Sequence, residues 1–106
     1  MSRLIAAIAL ATAFGALAAE GDFNVVIENH KFTPDRIEIP AGKKVKLLID
    51  NRDATPEEFE SHALKIEKVI PGKTKATVFV GPLKPGEYKF VGEFNEKTAR
   101  GVIVAK

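Results

Sequence analysis

Short runs of alternating apolar and polar residues, cut at near-regular intervals by proline and glycine, constrain this chain more than any other feature. Phe23, Val25 and Ile27 alternate with Asn24, Val26 and Glu28, and Arg36 to Ile39 repeats the pattern. Val45, Leu47 and Ile49 then alternate with Lys44, Lys46 and Leu48. A period of two is that of a strand, because successive side chains leave opposite faces of the pleat. Pro40-Ala41-Gly42-Lys43, Pro71-Gly72, Pro82 and Pro85-Gly86 supply the breaks. Proline presets φ for a turn and glycine tolerates positive φ. The same reading places a strand from His62, with His62, Leu64 and Ile66 on one face, ending before Pro71. Further strands are expected over Thr74 to Val80, Tyr88 to Phe94 and Gly101 to Ala105. No stretch keeps a 3.6-residue period long enough for a helix. Thr55 to Ser61 and Asn95 to Arg100 each have room for a single helical turn. About seven short strands with regular turns predict an all-β fold, a Greek-key β-sandwich or a related barrel.

The first residues read differently. Arg3 is followed by an uncharged, alanine-rich run from Leu4 to Leu17, and Ala16-Leu17-Ala18 has small residues two apart. These are the parts of a secretory signal peptide over 1–18, cut after Ala18 or Ala19. The run is shorter than the ~20 apolar residues that span a bilayer, and no cysteine follows it to carry a lipid. Residues 19–106 are then one exported, soluble domain, expected in the periplasm.

Composition removes several function classes. The chain has no cysteine. That excludes disulfides, thiolate metal ligands and cysteine nucleophiles, although export would permit disulfides. Sixteen basic residues face 14 acidic ones, and removing Arg3 lowers the small positive balance further. Neither nucleic acid nor an anionic membrane is implied as a partner. No Ser-x-x-Lys, Gly-x-Ser-x-Gly, phosphate-loop or zinc-protease motif is present, so side-chain catalysis is the least favoured reading.

The chemistry concentrates in Pro56-Glu57-Glu58-Phe59-Glu60-Ser61-His62. The parity of His62 with Leu64 and Ile66 aims its imidazole inward. If the preceding chain is extended, Glu60 and Glu58 share that parity. If it makes a helical turn, Glu58 and His62 stand four apart and face each other. Glu57 is the less favoured of the three carboxylates. Imidazole with carboxylates suits Cu(II), Zn(II), Mn(II) or iron rather than Cu(I), and binding should weaken as pH falls because both ligand types must lose protons. The alternative is a solvated acidic loop with a polar histidine at its end.

Phe32-Thr33-Pro34, Ile37-Glu38-Ile39-Pro40-Ala41-Gly42 and Asp50-Asn51 together resemble the opening of cupredoxin-like domains. Pro85-Gly86-Glu87-Tyr88-Lys89-Phe90 and Gly101-Val102-Ile103-Val104 resemble the last two strands of that fold. Thr55 to Ser61 and Gly81 to Gly86 are similar to stretches of the small periplasmic cupredoxin-like proteins of bacterial ferrous-iron uptake. The resemblance implies a cupredoxin-like Greek-key sandwich and a place beside an inner-membrane iron permease and its accessory proteins. It puts His62 where a cupredoxin carries its first histidine ligand. Glu93 falls in the facing loop and His30 near the same end. Gly92 stands at the position of the blue-copper cysteine, and Asn95 at a position where relatives often carry histidine. The site implied is therefore a copper or iron site, not type 1 blue copper, drawn from His62, Glu60, Glu58, Glu93, His30 and Asn95, with Glu67 a candidate for a separate site. Two other readings stay open: a thiolate-free copper redox carrier, and a non-metal interaction module.

Overall fold

A computed structural model describes residues 21–106. The proposed signal peptide over 1–18 lies outside the described residues. Among the described residues the regular structure is nine strands and one 3₁₀ turn at Glu93–Asn95. The strands are β1 (Asp22–Glu28), β2 (Lys31–Thr33), β3 (Arg36–Ile39), β4 (Val45–Asn51), β5 (Glu57–Ser61), β6 (Ile66–Ile70), β7 (Lys75–Val80), β8 (Gly86–Gly92) and β9 (Arg100–Ala105). They form two sheets, ordered β2-β1-β4-β7 and β3-β9-β8-β5-β6. The pairs β1–β4 and β3–β9 are parallel and the other pairs antiparallel.

The alternation determines what the sheets bury between them. Val25, Ile27, Leu47, Ile49, Val78 and Val80 come from one sheet, and Ile37, Ile39, Phe59, Ile70, Phe90 and Ile103 from the other. Phe59 stacks on Phe90 at 4.9 Å between centroids, and Phe32 meets both edge-on at 6.0 and 4.9 Å. Such aromatic geometry adds about 0.5–1.5 kcal/mol per pair beyond burial. A Cβ on Gly101 would collide with the Phe90 ring. That position is glycine because the ring needs the space.

Two polar side chains fix the loops at one end. Buried Asn51 donates from Nδ2 to the Ile70 and Thr55 carbonyls, both at 3.0 Å, and accepts from the Asp53 N–H at 3.1 Å. It ties the β4–β5 connection to the end of β6. Asp53 in turn accepts the N–H groups of Asn29 (2.8 Å) and His30 (3.0 Å), the two positive-φ residues of the β1–β2 turn. Positive φ at both central residues is the hairpin turn that matches strand twist.

The expected sandwich is present with nine strands rather than seven. Lys31–Thr33 adds one. The larger difference lies at Thr55 to Ser61, where a helical turn had room to form. It is strand β5, with Glu57, Phe59 and Ser61 facing inward. The strand expected from His62 starts only at Ile66, because residues 62–65 are the turn between β5 and β6. Ser61 Oγ closes that turn by accepting the Leu64 N–H at 3.2 Å while donating to the Lys89 carbonyl at 2.8 Å, and Lys65 takes φ 56°. Strand parity therefore does not extend to His62. Its side chain is 89% exposed, at a turn, and points away from the core.

Candidate metal centre

Strand β5 sorts its carboxylates by parity onto opposite faces. Glu57 faces inward and is 1% exposed. Its Oε1 accepts the N–H groups of Glu58 and Phe94, both at 2.9 Å, and its Oε2 accepts Asn95 Nδ2 at 2.8 Å. Three donors on a buried carboxylate compensate for the hydration it has lost. A Cβ built on Gly92 would stand 2.6 Å from Glu57 Cδ, 2.7 Å from its Oε2 and 2.7 Å from Ala99 Cβ. The end of the sandwich is filled by this carboxylate and closed by the turn it holds.

Glu58 and Glu60 leave the other face of β5. The register sets Glu60 directly opposite Glu67 on β6, and Glu58 opposite Val69. On the other side Phe59 pairs with Gly92, which brings Glu93 beside Glu58. Ligand oxygens of Glu58, Glu67 and Glu93 all lie within 4.8 Å of one another. Glu60, on the same face and beside Glu67 and Glu93, is only 5% exposed. His62 Nε2 stands 3.5 Å from Glu60 Oε1 at the margin.

The electrostatics follow from the crowding. Like charges directly across a sheet are destabilising. Hydrogen bonding to the Glu93 carboxyl, burial and hydrogen bonding to Glu67 together push the Glu60 carboxyl up to about 7, with His62 opposing them. Burial, then the charges of Glu93 and Glu67, also raises Glu58. The molecule thus keeps a proton where a cation would relieve the same repulsion. Two oxygens on one small cation are separated by no more than ~4–5 Å, from bond lengths of ~2.0–2.6 Å. The three glutamates stand at the wide end of that range, so their carboxylates would close in on a transition-metal ion, and the all-oxygen donors suit a hard or borderline one.

The sequence matches the cupredoxin-like domain family over residues 2–105. This chain belongs to that family. An uncharacterised protein of Rickettsia prowazekii (strain Madrid E) is 41% identical over 83 residues, spanning 78% of this chain and 66% of the relative. The chain therefore spans just under two thirds of the length of that curated relative. Among solved structures, a copper-binding protein in its apo form is similar at TM-score 0.70 with 17% identity, over 80% of this chain and 86% of that one. The metal-binding domain of a Cu(I)-exporting P-type ATPase of Streptococcus pneumoniae has TM-score 0.68 with 14% identity, over 80% and 84%. Auracyanin A, a blue copper protein of Chloroflexus aurantiacus, has TM-score 0.68 with 12% identity, over 80% and 98%. At these identities the structural likeness concerns the fold. Among the described residues, no helix is long and apolar enough to cross a membrane.

Type 1 copper does not fit this cupredoxin-like domain. It has no cysteine, and its single methionine is Met1. At Gly92, the position the resemblance aligned with the thiolate, the space beyond Cα belongs to the Glu57 carboxylate. Of the residues singled out from the sequence, the structure brings together Glu58, Glu60 and Glu93, with His62 at their edge. His30 is elsewhere, in the β1–β2 turn, where its Nε2 is 3.5 Å from Thr55 Oγ1. Asn95 turns its amide toward Glu57 and away from the outer face. Two residues gain in importance. Glu67, expected at a separate site, belongs to the main cluster. Glu57, the least favoured carboxylate, is the one that faces inward, at 1% exposure. The signal for Glu57 was the alternation of Glu57, Phe59 and Ser61 against Glu58 and Glu60, once that stretch is read as a strand, whereas Glu67 joins through the β5–β6 register, which no local signal carries.

Proposed function

We propose that this protein is an exported metal-binding accessory protein that holds a copper or iron ion at a carboxylate site on the outer face of the five-stranded sheet. The observation that carries the reading is the convergence of the Glu58, Glu67 and Glu93 oxygens within 4.8 Å, with the buried Glu60 beside them. Four glutamates from two strands and a turn would be held together against their own repulsion, which is the arrangement a cation rewards. His62 is close enough to add a nitrogen ligand after a side-chain rotation. The site would take Cu(II), Mn(II) or iron in preference to Cu(I), because it offers carboxylates and imidazole without sulfur. Its physiological setting would be the delivery side of an inner-membrane iron permease, as the resemblance of Thr55 to Ser61 to iron-uptake proteins implies.

The test is titration of the metal-free 19–106 domain with Cu(II), Mn(II) and Fe(II), beside Glu67→Gln and His62→Ala. Saturable one-to-one binding that weakens at least tenfold in Glu67→Gln supports the reading. A domain with no affinity for any of the three ions overturns it. A smaller loss in His62→Ala than in Glu67→Gln is expected, given the exposure of His62.

A second reading has one observation in its favour. Phe94 and Val69 are 51% and 49% exposed, and both belong to the elements that carry the carboxylates. Large exposed apolar side chains suit a protein-docking surface. Thermal stability that is identical with and without each ion would favour that interaction module.

A further inference from the structure

Glu57 holds two separate backbone segments with one oxygen. Its Oε1 accepts the N–H of Glu58, on β5, and the N–H of Phe94, in the 3₁₀ turn after β8, each at 2.9 Å. Those amides belong to one cluster glutamate and to the neighbour of another. On the far side of Glu93, the Gly92 N–H donates to the Ala99 carbonyl at 2.8 Å. Glu93 is thereby fixed from both directions. The second oxygen, Oε2, accepts Asn95 Nδ2 at 2.8 Å and orients the turn. The carboxylate at the centre of this arrangement is buried, Glu57 being 1% exposed, and a Cβ on Gly92 would collide with it, while Phe94 and Asn95 reach it from a partly exposed turn.

We infer that Glu57, with Asn95, is the positioning device of the carboxylate site, setting the separation of Glu58 and Glu93 from the buried side of the sheet. The inference rests on the proposed metal-binding reading and assigns to it two residues that touch no ion. A loop can deliver a carboxylate with ligand accuracy only if its backbone is held, and partners behind metal ligands are worth about 10–100-fold in affinity. The bond pattern also states what the position requires. Oε1 must accept twice, and the other terminal atom must match Asn95. Glutamine can do both, because its amide can donate to Asn95 once the asparagine amide has rotated. Alanine can do neither. Aspartate at 95 would set two carboxylates at about hydrogen-bond distance with no donor between them.

Four variants of the 19–106 domain test this: Glu57→Ala, Glu57→Gln, Asn95→Asp, and Glu57→Gln combined with Asn95→Asp. Two quantities are read on each, amide hydrogen exchange at Phe94 in the metal-free protein and the affinity for Mn(II) and Cu(II). Glu57→Ala and Asn95→Asp should each lose about tenfold in affinity and about tenfold in Phe94 protection, the cost of a lost hydrogen bond to a buried charged group. Glu57→Gln should stay within about threefold of the parent. The double variant should recover what Asn95→Asp loses, because the amide introduced at position 57 then donates to the new carboxylate. Unaltered metal affinity in Glu57→Ala or Asn95→Asp with Phe94 freed overturns the positioning role, as does a double variant no better than Asn95→Asp. Absence of binding in the parent overturns the metal reading and this inference with it. In that case the Phe94 exchange still reports whether the buried bonds form, so the two failures are told apart. If Glu57→Ala does not fold, the two carboxyl-amide exchanges decide the matter alone.

Discussion

Gly92 has room for a hydrogen atom and for nothing larger unless its neighbours shift. Its missing side chain leaves the space that the Glu57 carboxylate and the Ala99 methyl group occupy. Gly92→Ala should therefore cost about 1–3 kcal/mol, the usual range for forcing an extra carbon into a filled interior. Urea unfolding of the protein measures it, and a loss under about 0.5 kcal/mol would show that the carboxylate gives way. Gly92→Cys meets the same obstacle. We expect no intense blue band when that variant is loaded with Cu(II), and its appearance would show that a thiolate can displace Glu57. The residue scale is also where residue type says least. Glu57 and Glu58 are neighbours of identical chemistry, yet one is wholly internal and the other lies on the outer face. Composition cannot separate them. Only the pleat can.

Strand β5 gives the molecule its pH dependence. Glu60 has an ordinary value of 4.5 and is pushed up to about 7 by the Glu93 carboxyl, burial and the Glu67 carboxyl. Below 4.5 both folded and unfolded chains hold this proton. Between 4.5 and about 7 the unfolded chain releases it while the folded chain keeps it, so stability falls as pH rises through that window. Above about 7 both are ionised and the slope vanishes. Asp53 and Glu38 act in the opposite sense. The Asn29 and His30 amides, led by His30, hold Asp53 below 3.8, and Lys106 with Arg36 holds Glu38 below 4.5. Their contribution is present near neutrality and is lost as pH falls through and below those ordinary values. The metal-free domain should thus unfold at its highest temperature on the acid side of neutrality. Scanning calorimetry between pH 4 and pH 8 checks it. Glu60→Gln should flatten the fall toward pH 8, and an unchanged slope in that variant would remove Glu60 as its source. Elements were otherwise well marked in the sequence where turns carry proline and glycine. Three connections carry neither, the β1–β2 turn at Asn29 and His30, residues 62–65 and residues 93–99, and the β5–β6 turn is the one that misdirected a site residue. Its conformation comes from the Ser61 hydroxyl and a positive φ at Lys65. With no turn signal to break the pattern, the alternation of Ile66 and Leu64 extended backward to His62 and turned it the wrong way.

At the scale of the whole molecule, stability depends on the contact between two sheets, since no disulfide is available. The Phe59–Phe90 stack with Phe32 against it bridges strands from both sheets. Phe90→Ala should cost about 3–5 kcal/mol, a large share of the ~5–15 kcal/mol that holds a domain together. Chemical denaturation reads that loss directly. A loss of less than about 1 kcal/mol would mean the core collapses around the gap. A bound ion acts on the same total by mass action, adding about 2.7 kcal/mol at a hundred times its dissociation constant. A stabilised melting transition with Mn(II) or Cu(II), abolished in Glu67→Gln, would connect the outer carboxylates to the stability of the entire fold.

Local chemistry along the chain was enough to establish the period-two alternation, the positions of most turns, the all-β sandwich, the lack of any sulfur ligand in the domain, and the crowding of glutamates around one histidine. Each of these follows from side-chain periodicity, backbone restriction at proline and glycine, or residue type. Which glutamates meet was decided by the folded chain alone. Glu60 and Glu67 face each other because of strand register, and Glu93 joins Glu58 because Gly92 pairs with Phe59. Packing likewise decided that Glu57 fills the place beyond Gly92 and that His62 stands outside. Register and packing are properties of pairs of distant segments, and a shift of one residue moves every side chain to the opposite face.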